Sequence, residues 1–347
     1  MDVSEYWDQH AKAYSEATRD PAFLAAYDTA ISLSGIEGKQ VRCILDVSCG
    51  NGMLLARAMK KTQAKLLIGV DFSAEMLRLA KENLKDAGAC VSSKPLDVYR
   101  KLAALSKKAR HDKAALDEYR KVYAEHTALK EQRQGRPLAI LLKQDMHKLS
   151  FEINPVADAV FFMFPVFDIM DKTSMHTKEL DALIKELTLW VTYLYNLGNA
   201  LNYLRPGGNL VVMIPVATAS GKKPTYDLHK TMYKGMEKLG CKIASFEPYE
   251  SPRLAKILDR LYGYDDVHTL EFLAASFTRT PETAGTAAQR AEIVKKSKEA
   301  LSLLRRTKKD MPVYMSTGKD GRMRMTDLGG LEVDIDEMIL KIKRLFK

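Results

Sequence analysis

Residues 44–61, "ILDVSCGNGMLLARAMKK", run from an apolar stretch through an acid and a turn with two glycines into an amphipathic helix. An apolar run of this length closed by a polar turn reads as a buried strand, and the turn between such a strand and a helix is a common place to hold a cofactor. A dinucleotide fold would want G-x-G-x-x-G here, its third glycine letting helix and strand approach. Gly50 and Gly52 supply two glycines, but the third position is Leu55. Asp46, at the strand end, would repel a pyrophosphate and attract a cofactor carrying an ammonium or sulfonium cation.

Working outward, "KLLIGVDFS" reads as a second strand and "AEMLRLAKENLKDAG" as a second helix, so the chain opens as βαβα, the signature of a parallel sheet covered by helices. The second strand ends at Asp71, where a carboxylate can accept hydrogen bonds from both hydroxyls of a ribose. Further strands are predicted at "LAILLKQDM", "ADAVFFMFPV", "NLVVMIPV", "CKIASFEPY" and "HTLEFLAASFTRT". The fold expected is α/β, a Rossmann-like, doubly wound, mostly parallel seven-stranded sheet with helical insertions and a C-terminal extension. A long amphipathic helix is expected from about Thr177 to Leu204, stopped by the breaker "RPGG".

The segments "LDVSCGNG", "GVDFSAEML", "QDMHKLSF" with "ADAVFFMF", and "LNYLRPGGNLVVMIP" together resemble the class I S-adenosylmethionine-dependent methyltransferases, over most of residues 40–280. The head "YWDQHAKAY" is similar to the small-molecule branch with an N-terminal helical cap. The resemblance implies S-adenosyl-L-methionine as cofactor. Its methionine part would lie on Ser48, Gly50 and Gly52 with Asp46 near the amino group, and its ribose on Asp71. Phe72, Met76, Asp145 and Met146 would surround the adenine, and Phe162 would border the methyl group. Phe164, Pro165 and Phe167 would line the acceptor pocket. Ser48 departs from the family, which commonly has glycine there; an ordinary φ is expected at Ser48, with the closest approach at Gly50.

A sulfonium methyl group is already activated, so the protein's work is to hold the nucleophile and exclude water, and a dedicated base is optional. Tyr6 and Tyr14 of the cap, and His147, are the candidate catalytic groups. His10, Asp168 and His176 are weaker candidates by position. The tyrosines read equally as core aromatics of the cap, and a lone histidine is more often a structural residue. At the tip "MFPVFD" the family's base N-methylating members carry Asn or Asp followed by two prolines; here Phe164, Pro165, Val166 and Phe167 make an apolar border.

The 347 residues, 46% of them hydrophobic, suffice for one elaborated domain or two. The expected division is a cap over 1–40, a methyltransferase domain over 41–280 with a helical insert at about 93–136, and a basic extension over 281–347. The net charge of +10 is local. Residues 93–136 hold 12 Lys/Arg against 6 Asp/Glu, residues 279–347 hold 16 against 10, and the remainder is slightly acidic. Basic additions of this kind are either solvated faces or a grip on a nucleic-acid backbone. Charges throughout the first twenty residues, and no run of about 18 apolar residues, lead to the expectation of a cytoplasmic protein without a membrane span. Four scattered cysteines, with no CxxC pair, point to reduced thiols and no metal site.

These features favour methylation of a small or medium-sized metabolite in a capped pocket. An RNA methyltransferase that uses the basic insert and tail is the second reading, and a catalytically silent cofactor-binding partner subunit the third. Oligomeric state is left open by the sequence.

Overall fold

The computed structural model of the chain describes residues 3–92, 98, 101–102, 104–106, 108–109, 112–146, 149, 157–164, 195–219, 235–262, 268–281, 284–309, 314–317, 323–326 and 332–334. His147, Pro165, Phe167, Asp168 and His176 lie outside them, as do most of the helix expected from Thr177 and the terminal helix.

Two helices come first, α1 (Val3–Ala17) and α2 (Pro21–Leu33). "RDPAF" starts α2 as side-chain chemistry dictates: Asp20 is the N-cap, accepting from the Ala22 amide at 2.9 Å, and Pro21 takes the first turn, where its missing N–H costs nothing. Then follow β1 (Cys43–Val47), α3 (Met53–Lys61), β2 (Leu66–Asp71), α4 (Ala74–Asp86), β3 (Cys90–Val91), α5 (Lys113–Gln132), β4 (Leu138–Lys143), β5 (Ala157–Met163), β6 (Leu204–Ala219), β7 (Cys241–Tyr249), α6 (Pro252–Tyr262), β8 (His268–Arg279) and α7 (Ala284–Lys309). A small antiparallel sheet, β9 (Tyr314–Thr317), β10 (Met323–Thr326) and β11 (Glu332–Asp334), ends the described chain.

The main sheet has eight strands in the order β3-β4-β2-β1-β5-β6-β8-β7. The seven expected strands are all present; the eighth, β3, is a two-residue edge strand paired with Leu138 and Ala139 of β4. It escaped the sequence because two residues carry no periodicity. β6 also starts earlier than expected. Leu204 already pairs with Ala157, and the sheet then absorbs "RPGG" through a register shift between Ala157 and Ala159, so the proline and glycines lie in a bulge rather than before the strand.

β1 and β5 are buried at every residue, as strands covered on both faces must be. The chain leaves β1 toward β2 on one side and later returns to pair β5 on the other. The order therefore reverses at β1, and the crevice beyond the carboxyl ends of β1 and β5 is where an open parallel sheet takes its ligand.

The chain packs as two compact units. The first, Met1–Pro165, Tyr203–Pro224 and Ser245–Ser276, contains the cap, the switch crevice and a core that includes Phe23, Ile31, Ile44, Leu55, Leu67, Phe161 and Phe272. In the second, Val166–Asn202, Thr225–Ala244 and Phe277–Lys347, α7 lies against residues 195–201. A Cβ at Gly198 would stand 2.6 Å from Val294 Cγ2, so glycine sets that approach. Arg279 donates to the Leu201 carbonyl at 2.8 Å, and Arg290 to Asn202 Oδ1 at 3.2 Å.

Candidate active site

β1 delivers Asp46 near its carboxyl end and Ser48 just beyond it. Asp46 is buried, and its Oδ1 has no hydrogen-bond partner. Burial, and then the neighbouring Asp71, push its carboxyl well above the usual carboxylate range. An orphaned, buried carboxylate oxygen is costly unless something cationic arrives to satisfy it.

The turn that follows alternates in hand: Ser48, Gly50 and Gly52 have φ of 66°, 51° and 71°. The ordinary φ expected at Ser48 is thus corrected. The chain must reverse from β1 into α3 within a few residues while the Cys49 amide donates to the Val70 carbonyl at 2.9 Å, and Ser48 takes the left-handed step itself. Alternation of this kind turns backbone N–H groups toward one side, a concavity suited to an anion. Gly52 is also the N-cap of α3 and offers its first turn no side-chain cap.

Two glycines make room for close approaches. A Cβ on Gly50 would lie 3.1 Å from Tyr14 Cε1, so the Tyr14 ring rests on the turn. One on Gly52 would lie 2.9 Å from Ala80 Cβ, where α4 crosses α3.

β2 ends at Asp71, buried, with Oδ2 accepting from the Gly50 amide at 2.8 Å and Oδ1 from the Ser73 amide at 2.9 Å. Burial raises its pKa to about 6 against the pull of these amides. With a further backbone hydrogen bond from Phe72, three of the carboxylate's roughly four acceptor sites are used and one is left for another donor. The Gln144 amide donates to the Asp71 carbonyl at 2.9 Å, which places the β4 tip, with half-buried Asp145 and buried Met146, beside the β2 tip with half-buried Phe72 and buried Met76.

β5 ends in Phe162, wholly buried between Val47 and Val212, and in Phe164, whose φ is 50°. The Phe164 amide donates to the Met213 carbonyl at 2.8 Å, and its ring meets Phe23, Tyr27 and Phe272 at centroid distances of 5.7, 6.5 and 5.8 Å. Ser48 and Phe164, on neighbouring strand tips, are two of only three non-glycine residues with positive φ among those described. Backbone held this way clusters at ligand sites.

The cap supplies the rest. Tyr14 is half-buried, edge-on to Trp7 and Phe23, and burial followed by Tyr27 raises its hydroxyl well above the usual range. Tyr6 donates its hydroxyl to the Leu261 carbonyl at 2.7 Å and stacks on His10, so it ties α1 to α6. His10 donates its Nδ1–H to the Tyr6 carbonyl one turn earlier, at 2.8 Å.

Sequence reasoning missed three polar residues of this site. Asn51 is buried, donating to Thr18 Oγ1 at 2.8 Å and Ser15 Oγ at 3.2 Å, while its carbonyl accepts from Asn83. Ser73 caps α4 by accepting from the Met76 amide and donates its hydroxyl to Asp8 at 2.5 Å. Asp8 also accepts from the Glu75 amide. A serine just before the helical run "AEMLRLA" was the one available signal.

The glycine turn and the acid tips of β1 and β2 fall within residues 44–112, and that span matches the family model described as a methyltransferase domain. Over residues 44–112 the chain carries a methyltransferase domain. The residues present fit S-adenosyl-L-methionine: a buried acid with an unpartnered oxygen would suit its amino group, a helix start whose N-cap is glycine its carboxylate, and a second acid at the next strand tip its ribose. No curated protein sequence matches the chain. Among solved structures the chain is similar to the [4+2]-cyclase SpnF, at 14% identity and TM-score 0.46, covering 81% of this chain and 96% of that one. It is similar to an rRNA methylase from Streptococcus thermophilus, at 13% identity and TM-score 0.38, covering 73% and 96%. The N-methyltransferase NodS from Bradyrhizobium japonicum gives 11% identity and TM-score 0.38, covering 76% and 99%.

Proposed function

We propose that the protein transfers the methyl group to a small or medium-sized metabolite, by in-line displacement in a pocket closed by the N-terminal cap. The observation that carries this reading is Tyr14 seated on Gly50: a helix lies directly over the cofactor turn, an arrangement suited to an enclosed acceptor. When bound, the cofactor supplies a methyl group already activated for attack.

The chain's residues do the remaining work. Asp46 takes the amino group, the turn amides at Ser48, Gly50 and Gly52 and the start of α3 take the carboxylate, and Asp71 takes the ribose hydroxyls. Phe72, Met76, Asp145 and Met146 flank the adenine. Phe162 backs the strand from within the sheet, and Phe164, with Pro165 and Phe167 beyond it, borders the acceptor. Tyr14 excludes water above the turn and is the cap residue best placed to touch cofactor or acceptor. Tyr6 contributes through its hold on Leu261, and His147 is retained as the candidate base. Buried free thiols at Cys43, Cys49 and Cys241 suit a reducing, cytoplasmic setting, and among the described residues no helix is long and apolar enough to cross a membrane.

An RNA acceptor is the second reading. It is favoured by exposed Lys295, Lys296 and Lys298 on α7 and by the stacked Tyr119–Tyr123 pair on α5, with Arg120 and Lys121 exposed beside it. The test is labelled-methyl transfer from the cofactor to fractionated metabolites and to total RNA, run at low and high salt. Label in the small-molecule fraction, insensitive to salt, supports the first reading; salt-sensitive label in RNA replaces it with the second.

A further inference from the structure

Hydrogen bonds around the cofactor turn close into a circuit that begins and ends on α1. From the far end of α1, Thr18 and Ser15 accept from Asn51 of the turn. The adjacent Gly50 amide donates to Asp71 Oδ2, and Asp71 Oδ1 accepts from the Ser73 amide. Ser73 then donates its hydroxyl to Asp8, near the start of α1. The links are hydrogen bonds between named groups and the covalent step from Asn51 to Gly50, and Asp71 is the member proposed to meet the cofactor.

Chemistry assigns Asp8 its place in the ring. A serine hydroxyl has one proton to give, and as the N-cap of α4 Ser73 uses an oxygen lone pair on the Met76 amide. Its proton therefore needs an acceptor, and Asp8 provides a charged one while also accepting from the Glu75 amide. Holding Ser73 fixes the peptide whose N–H orients Asp71 Oδ1. Holding α1 at both ends keeps Tyr14 on Gly50.

We propose that Asp8 is a positioning residue for the cofactor, acting through Ser73 on Asp71 and clasping α1 over the glycine turn. The inference rests on the cofactor reading of this site. It makes α1 a working part of the cofactor's pocket, so that cofactor binding and α1 docking stabilise each other.

The test uses the full chain and S-adenosylhomocysteine, followed by titration calorimetry, with amide exchange read over residues 3–17 and thermal unfolding measured in parallel. Asp8→Ala is expected to weaken binding about tenfold, the size of one charge-assisted hydrogen bond, and to speed exchange in α1. Asp8→Asn, which still accepts from Ser73, is expected to bind close to wild type. Asp8→Ala combined with Ser73→Ala should bind no worse than Ser73→Ala alone. Additive losses, wild-type affinity in Asp8→Ala, or an affinity loss that merely tracks the fall in Tm across all variants would each overturn the proposal. Wild-type protein that binds no S-adenosylhomocysteine would sink the cofactor reading and this proposal with it; wild-type binding with unaffected variants sinks this proposal alone.

Discussion

The Gly50 amide reaches across from the turn after β1 to Asp71 Oδ2 at the end of β2, 2.8 Å away. One carboxylate thus braces the glycine turn and stands where the proposed function puts the cofactor's ribose. Because Asp71 is buried, this arrangement has a pH signature.

Asp71 titrates at about 6 in the folded chain instead of its ordinary 3.8, so between those values the folded state binds the proton that the unfolded state has released. Stability from this group is full below about pH 4 and falls as pH rises to about 6, by on the order of 3 kcal/mol. The cofactor favours the charged carboxylate, so affinity for S-adenosylhomocysteine should improve over the same window and protons should be released on binding. Calorimetry in buffers of different ionisation enthalpy reads that release. Asp71→Asn should flatten the stability profile between pH 4 and 6 and weaken binding at least tenfold at pH 7; a profile unchanged by this substitution would refute the assignment.

Ser48 holds a left-handed φ of 66° without the freedom of glycine. Ser48→Gly should relieve that strain and raise stability by about 1 kcal/mol, net of glycine's greater unfolded-state entropy. Ser48→Val, β-branched at the same φ, should lower it. Urea unfolding midpoints for the pair decide the matter, and equal midpoints would show that the turn stores no strain at this residue.

Phe164 fills the centre of an aromatic cluster formed with Phe23, Tyr27 and Phe272. Phe164→Ala should cost roughly 3–5 kcal/mol, as other large-to-small core truncations do. Phe164→Leu should cost clearly less. If both are neutral in denaturant unfolding, the ring is not part of the core that the structure places it in.

In the second unit, Gly198→Ala would drive a Cβ to 2.6 Å from Val294 Cγ2. The variant should lose about 1–3 kcal/mol by overpacking, and Val294→Ala should restore much of it in the double variant. Additive losses in thermal unfolding would mean that α7 does not pack on Gly198.

How far the site could be read in the sequence depended on the range of each interaction. Asp46 and Asp71 were legible because a parallel strand buried on both faces leaves an apolar run, and an acid ending such a run stands out. Tyr14 was legible as a cap aromatic, though its seat on Gly50 was not. Asp8, Asn51 and Ser73 were hidden for the opposite reason. A polar residue on an amphipathic helix or in a turn resembles a solvated one, and their long-range partners lie 32 to 67 residues away in the chain. The hand of Ser48 was misread because residue type sets only a preference for φ, which the reversal into α3 overrode. β3 and the early start of β6 were missed because strand pairing, not local pattern, creates both.

The bond from Tyr6 to the Leu261 carbonyl joins residues 255 apart in the chain. During synthesis α1 leaves the ribosome well ahead of its anchor on α6, which follows only after nearly the whole first unit has been made. At roughly 5–20 residues per second that interval is on the order of 10–50 s. Throughout it α1 can rest on the glycine turn and α4 but lacks its tie to α6, so the cap's seat is completed late in synthesis.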